Sequence, residues 1–331
     1  MKSVTGARRV VVKAFGGAEQ LSVETPVDLP RPGPGQLLVD VEAAGVNYLD
    51  VMQRKGISKL SLPFTPGLEG VGRVREVGVT VDSATGQLVV GQRAAWINVP
   101  GSYASQVVVP ADRAIPVPDP FSAPHALLFQ AMTTQYLVSE YRDVRPGDRV
   151  LVHSAAGGVG QLLVQWLKHL GARVVGTTSS DAKAAAARGA GADAVINYGH
   201  DYAFLDELQA LTNGRGVDLA FDAVGSATLA ATLKGLARGG TVVSFGSASG
   251  PPPAIDPREL INPCTRVAGG SVFSYVADPA ELQRRAASVI DAIRAGWLRV
   301  GDGTAYDLGS AADAHRDIEG RSTQGKLHLK P

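Results

Sequence analysis

Two kinds of hydrophobic pattern follow one another along the chain. Up to about residue 125, short apolar runs at Val10 to Lys13, Leu37 to Val41, Gly70 to Val77 and Ser105 to Val109 predict strands. Gly and Pro punctuate them, as in Pro30-Arg31-Pro32-Gly33-Pro34-Gly35. One helix interrupts these strands, Asn47 to Lys55, stopped by Gly56. From Ser122 the spacing turns helical through Tyr141, and then it alternates. Strands are predicted at 149–153, 173–177, 194–197, 218–222 and 240–245, with helices near 159–170, 181–188, 202–211 and 227–237. Such alternation predicts an α/β domain on a doubly wound parallel sheet. After Pro251-Pro252-Pro253 come a strand near 266–272 and a helix from Pro279 to Ala295, with Glu281, Arg284 and Arg285 on its wet face. Lys326 to Leu329 reads as a terminal strand that returns to the N-terminal β domain.

The most informative stretch is Gly147 to Lys168, GDRVLVHSAAGGVGQLLVQWLK. A buried strand leads into a turn of small residues, and then into a helix whose Leu162, Leu163, Trp166, Leu167 and Leu170 share one face. Strand, Gly-rich turn and helix open a dinucleotide-binding βαβ unit. Residues without Cβ let the backbone approach a pyrophosphate, which sits on the free N–H groups of the helix start. The Gly-x-Gly-x-x-Gly spacing falls on Ala155, Gly157 and Gly160, so alanine replaces the first glycine.

The next strand decides between cofactors. An NAD site places a carboxylate at its end for the ribose 2′-OH. Here the strand ends Thr177-Thr178-Ser179-Ser180, with Asp181 already in the following helix and Lys183 just after it. Hydroxyls and a lysine suit a 2′-phosphate, so the reading is NADPH. Ser180 also reads as a helix N-cap, which is compatible because a cap position is where a phosphate binds.

Composition narrows the rest. With 331 residues and 45% hydrophobic content, two domains with real cores are possible. Net charge is +1 with 19% charged residues and no long run of one sign, which offers no footprint for nucleic acid or an anionic membrane. The single Cys264 excludes an intrachain disulfide and a multi-cysteine zinc site, and it reads as an inert small hydrophobe. No apolar run has transmembrane length and the N-terminus lacks a signal-peptide pattern, so a cytoplasmic protein is expected.

The chain resembles the zeta-crystallin-type NADPH:quinone oxidoreductases of the medium-chain dehydrogenase/reductase superfamily. Their signature is matched by Gly147, Asp148, Leu151, Ala155, Ala156, Gly157, Gly158, Gly160, Gln165 and Lys168. Similarity extends through GVNYLDVMQRKG, PFTPGLEGVG, LLFQAMTTQYL, VVSFGSASG and RSTQGKLHL. The resemblance implies a GroES-like β domain (1–126 and 273–331) and an inserted Rossmann NADPH-binding domain (127–272), with the cofactor in the cleft between them. Implied cofactor contacts are Tyr48 and Met52, Thr133 and Tyr136, the turn Gly157, Gly158, Val159 and Gly160, and Ser179, Ser180 and Lys183. Further contacts are Tyr198, the turn Phe245-Gly246-Ser247-Ala248, Ser271, Phe273 and Arg321. Relatives also pair as homodimers through the edge of the cofactor domain's sheet. Zinc alcohol dehydrogenases of the superfamily place metal-binding residues where this chain has Asn47 and Leu68-Glu69, so no zinc site is expected.

Without a metal, the substrate must already be electrophilic. A quinone, or alternatively an activated C=C bond of an enone, accepts hydride and moves charge to an oxygen that hydrogen bonds can hold. Asn47, Asp50 and Arg54 share a helix face; Asn47 either donates to that oxygen or caps the helix, and Tyr48 contacts nicotinamide or substrate. Asp50 and Arg54 are either part of the site or an i, i+4 surface pair. Met52 and Gln130 stand where some relatives carry an aromatic and a lysine, which predicts a more adaptable, less cationic pocket. Tyr103 and Phe129 are pocket walls or core. His125 and His153 invite a catalytic reading, although His153 lies at a buried strand end and fits a structural role. A non-catalytic NADPH-binding role, structural or sensory, is the competing class.

Overall fold

The computed structural model describes residues 4–29, 31–58, 60–78, 88–119, 121–199, 201–320 and 323–331. The first strands are β1 (Val4–Val12), β2 (Leu21–Leu29) and β3 (Gln36–Val46), followed by helix α1 (Tyr48–Arg54). Strands β4 (Glu69–Val77), β5 (Arg93–Ile97), β6 (Gln106–Pro110) and β7 (Ala114–Pro116) come next. Then α2 (Phe129–Glu140), β8 (Arg149–Val152), α3 (Gly158–His169), β9 (Arg173–Thr178), α4 (Asp181–Gly189) and β10 (Ala194–Asn197) alternate. The alternation continues with α5 (Leu205–Leu211), β11 (Val217–Asp222), α6 (Leu229–Lys234), β12 (Leu236–Ser244) and β13 (Arg266–Gly269). Last come α7 (Val272–Tyr275), α8 (Pro279–Arg294), β14 (Thr304–Asp307), α9 (Ala311–Glu319) and β15 (Leu327–Lys330).

Two compact units result, one of residues 1–129, 278–286 and 300–331, the other of 130–277 and 287–299. In the first, β1 and β2 pair antiparallel, and a seven-stranded sheet runs β14-β15-β3-β4-β5-β7 with β6 also on β3. The terminal strand β15 pairs with β3 through Leu327 opposite Val46. The core gathers Leu37, Val39, Trp96, Tyr103, Leu308 and Leu329. In β4, Glu69 to Gly72 are all buried, and only beyond them do outward Arg73 and Arg75 flank buried Val74 with the period of 2 of a half-buried strand.

The second unit has a six-stranded sheet in the order β10-β9-β8-β11-β12-β13, parallel throughout. Renumbered within the unit this is 3-2-1-4-5-6, the order of a dinucleotide-binding sheet. Val150, Leu151 and Val152 are fully buried because helices cover both faces of such a sheet. Leu162, Leu163 and Leu167 pack the inner face of α3. Residues 287–299 belong to this unit, held at their end by Gln165, whose side chain bonds both N–H and C=O of Arg299 at 2.7 and 3.1 Å. Among the described residues no helix is long and apolar enough to cross a membrane.

Several elements differ from the sequence expectation. The strand expected over 266–272 ends at Gly269, and Ser271 instead caps the short α7, accepting from Phe273 N–H at 3.3 Å. The helix expected to reach Ala237 stops at Lys234, and β12 starts at Leu236. Arg285 is buried on α8 rather than on its wet face, whereas Arg284 is exposed. Cys264, read as an inert small hydrophobe, is exposed in a turn at φ 56°.

The sheet of the first unit tolerates no side chain at Gly72, where a Cβ would overlap the Asp40 carbonyl of the neighbouring strand. Gly72→Ala is expected to destabilise the protein by about 1–3 kcal/mol in denaturant unfolding. Gly189→Ala on α4, where a Cβ meets nothing, is expected to be neutral or stabilising.

Candidate active site

In the second unit every strand is parallel, so all the loops that follow them leave at one edge of the sheet. That edge carries most of the expected cofactor residues. After β8, Ser154 adopts φ 53° and its carbonyl accepts Gly157 N–H at 2.9 Å, turning the chain into α3. A Cβ at Gly160 would overlap the Ser154 carbonyl, so glycine there lets α3 start hard against the turn. Gly157, Gly158 and Val159 are half-exposed at the start of this twelve-residue helix, and the N-cap Gly157 brings no side chain to occupy the free N–H groups. A Cβ at Gly158 would strike the Gln130 carboxamide, so Gln130 covers the same helix start.

After β9, Ser180 caps α4 by accepting Lys183 N–H, while Lys183 Nζ donates to Ser179 Oγ at 3.4 Å. Asp181 is held at 2.8 Å by the Asn197 amide at the end of β10. Tyr198, next along, stacks on Tyr202 with ring centroids 4.8 Å apart. After β12, Phe245, Gly246, Ser247 and Ala248 are half-exposed in a loop tied down by Phe245 N–H to the Asp222 carbonyl at 2.9 Å. Ser271 is exposed and Phe273 half-exposed beyond β13. Thr133 and Tyr136 are different: both are buried in α2, and Tyr136 donates to the Gly270 carbonyl at 3.0 Å and stacks on Tyr275. Arg321 lies outside the described residues.

His153 is a structural group. It is buried between the hydroxyls of Thr177 and Thr232 at 2.9 and 2.8 Å, and burial pushes its pKa down to about 4. The signature residues Gln165 and Lys168 are also architectural, since Lys168 pairs with Asp193 at 2.8 Å.

The first unit holds a buried polar cluster at the start of α1. Asn47 and Asp50 form a capping box, with Asn47 N–H donating to Asp50 Oδ2 at 2.8 Å. The Asn47 side-chain amide donates to Glu69 Oε1 at 2.9 Å. A carboxamide has two N–H bonds, so capping and a donor role coexist. Glu69 is wholly buried and accepts from Phe129 N–H at 3.0 Å and from Lys326 Nζ at 3.0–3.2 Å. Lys326, itself buried, also donates to the Leu127 carbonyl at 2.9 Å. Burial lowers the Lys326 pKa, and Glu69 opposes that shift. Tyr48 and Met52 are half-exposed on the same helix, and Phe129 is half-buried.

Asp50 and Arg54 are not a surface pair. Both are fully buried and neither bonds the other. Arg54 donates to the Gly16 carbonyl, to His315 Nδ1 at 3.4 Å and to Glu319 at 2.8 Å. Tyr103 O–H donates to Asp50 at 3.1 Å and lies 3.1 Å from His315 Nε2. One tautomer satisfies the whole chain: Arg54 donates to His315 Nδ1, His315 Nε2–H to Tyr103, and Tyr103 to Asp50. His125 is a separate, half-buried group 3.1 Å from Asp302.

Comparison with known proteins fits this geometry. The family pattern described as alcohol dehydrogenase GroES-like domain matches residues 33–119, and that described as zinc-binding dehydrogenase matches 158–290. The 2-haloacrylate reductase of Burkholderia is 34% identical, over 97% of this chain and 98% of its own length. A probable quinone oxidoreductase of Schizosaccharomyces pombe is 36% identical, over 97% and 96%. The chain belongs to the quinone oxidoreductase family. This is an oxidoreductase family of the medium-chain dehydrogenase/reductase superfamily. A mycobacterial protein solved as a complex with NADPH has a TM-score of 0.92 and 38% identity, covering 98% of this chain and 100% of its own.

The zinc in one family description does not fit the donors present. Among the described residues no group of three or more His, Cys, Asp or Glu side chains is placed to hold a metal ion. The Glu69 carboxylate is already bound to an ammonium. Sequence reasoning missed Lys326, His315 and the helix α9 that carries His315. A charged residue opening the apolar strand Lys326 to Leu329 was the available signal.

Asp50 gives a pH signature. Burial pushes its carboxyl from the ordinary 3.8 up to about 7, against hydrogen bonds that favour the ionised form. A raised carboxyl contributes stability that is present below about pH 4 and is lost as pH rises through about 7. His315, pushed down to about 3 by burial, acts in the opposite sense, losing stability as pH falls below its ordinary value. Asp50→Asn removes only the first effect. Relative to wild type, that variant is expected to be more stable at pH 8 than at pH 5, by about 1 kcal/mol or more in denaturant unfolding. Equal differences at the two pH values would refute the assignment.

Proposed function

We propose that the protein is an NADPH-dependent reductase that transfers hydride to a quinone without a metal. The observation that carries this reading is the convergence of the free start of α3, the Ser179–Lys183 hydroxyl and amine group and the Phe245–Ala248 loop on one edge of a parallel sheet. Backbone N–H groups of Gly158 and Val159 would hold the pyrophosphate, and Lys183 with Ser179 and Ser180 the 2′-phosphate. NADPH supplies a hydride. Asn47 would donate its second N–H to the oxygen that gains charge, and Tyr48 and Met52 would bound the acceptor.

A second reading, reduction of an activated C=C bond, is favoured by the likeness to 2-haloacrylate reductase. The half-exposed, unbranched Met52 suits either acceptor. Cytoplasmic location belongs to the same proposal, since the exposed unpaired Cys264 suits a reducing compartment.

A homodimer is proposed through the free edge of β13. Its Val267 is 36% exposed and the neighbouring Ile261 67% exposed, an apolar edge that another strand would cover.

NADPH oxidation followed by absorbance against quinones and enones in parallel tests the main reading. Turnover with a quinone is expected; turnover with enones alone would select the second reading, and none with either would reject both. Lys183→Glu is expected to raise KM for NADPH about tenfold, one unit of pKa-scale free energy, while leaving NADH use nearly unchanged. For the dimer, light scattering should give twice the chain mass, and Val267→Lys should give one chain mass. A monomeric wild type would refute that interface.

A further inference from the structure

The buried ion pair of Lys326 and Glu69 is a costly arrangement. Desolvating two charges is repaid only when geometry and further hydrogen bonds are good, and a neutral pair of similar size would often be as stable. Here the arrangement is fully engaged. Glu69 takes Lys326, Phe129 N–H and the Asn47 amide; Lys326 also takes the Leu127 carbonyl. A Cβ at Gly45 would overlap the Glu69 carboxylate, so a glycine in β3 makes room for it. Of these partners, three are backbone groups or the ion itself. The fourth, Asn47, sits at the N-cap of α1 with a second N–H to offer.

We propose that Lys326 is a positioning residue for the reduction: acting through Glu69, it fixes the Asn47 carboxamide in the orientation in which its second N–H meets the acceptor oxygen. The proposal rests on the donor role given above to Asn47. Lys326 supplies a charge-assisted hydrogen bond to each Glu69 oxygen, at 3.0 and 3.2 Å, which fixes the carboxylate in place. Asp50, Tyr103 and His328 also feel the Glu69 charge, so the ammonium shields them as well. Without it the carboxylate would lose the partner that bonds both its oxygens, and Asn47 would lose its fixed partner.

The test is a double-mutant cycle on the full-length protein, with NADPH and an accepted quinone or enone. Lys326→Met is expected to lower kcat about tenfold with KM for NADPH within twofold of wild type. Asn47→Ala is expected to lower kcat at least as much, and Lys326→Met with Asn47→Ala no further than Asn47→Ala alone, because one acts through the other. Wild-type kcat in Lys326→Met, or losses that multiply, would overturn the proposal. If Lys326→Met does not fold, Lys326→Gln keeps donors for Glu69 and Leu127 without the charge, and the same cycle decides. A crystal structure of the folded variant gives a readout independent of turnover: Asn47 Nδ2 is expected to leave Glu69, and a contact retained at 2.9 Å overturns the proposal. If wild type oxidises NADPH with none of the quinones or enones, the reductase reading fails instead, and that structure alone decides whether Lys326 positions Asn47.

Discussion

The wholly buried carboxylate of Glu69 constrains the first unit more than any other single group. Its donors come from residues 47, 129 and 326, so three distant parts of the chain must reach β4 at one point. A buried carboxylate left without these partners would be strongly destabilising, which makes the arrangement nearly all-or-none. The consequences spread outward. The C-terminal strand β15 has to lie on β3 so that Lys326 arrives, and β3 has to end where α1 begins so that Asn47 arrives. Gly45 has to lack a side chain for the carboxylate to fit.

The second unit obeys a different constraint, the burial of a parallel sheet on both faces. Val217 to Asp222 are all buried, and sequence alternation disappears there because no face of the strand meets water. Parallel strands send every following loop to the same edge, so the residues proposed to bind the cofactor, from positions 157 to 248, lie along it. Their chemistry is largely that of the backbone. The free N–H groups of α3 depend on the absence of a capping side chain at Gly157 and on the tight turn permitted by Gly160.

That difference explains what the sequence could and could not reveal. The second unit was legible because its signals are local: strand, small-residue turn, amphipathic helix, repeated. Ser179, Ser180 and Lys183 are neighbours in sequence and neighbours in space. Beyond the local Asn47–Asp50 capping box, the polar cluster of the first unit was not legible, because its other partners lie 22 to 265 positions apart. Periodicity placed Asn47, Asp50 and Arg54 on one helix face, but it could not tell a wet face from one buried against His315 and Tyr103. Nor could it show that Tyr136, a position where the family resemblance implies a cofactor contact, is buried with its hydroxyl on the Gly270 carbonyl.

The donors of the first unit also suit the chemistry proposed for it. A quinone or conjugated double bond that gains hydride spreads the charge onto an oxygen, and a neutral donor of fixed orientation stabilises that charge without the desolvation cost of bringing a free cation. Asn47 is such a donor. The positive charge nearby belongs to Lys326, which is already engaged by Glu69 and the Leu127 carbonyl. A chain whose family description names zinc therefore carries a cation beside Glu69, but a buried lysine one. In the proposed reduction the electrostatic work would pass to an amide held at one end by a buried carboxylate and at the other by its helix cap.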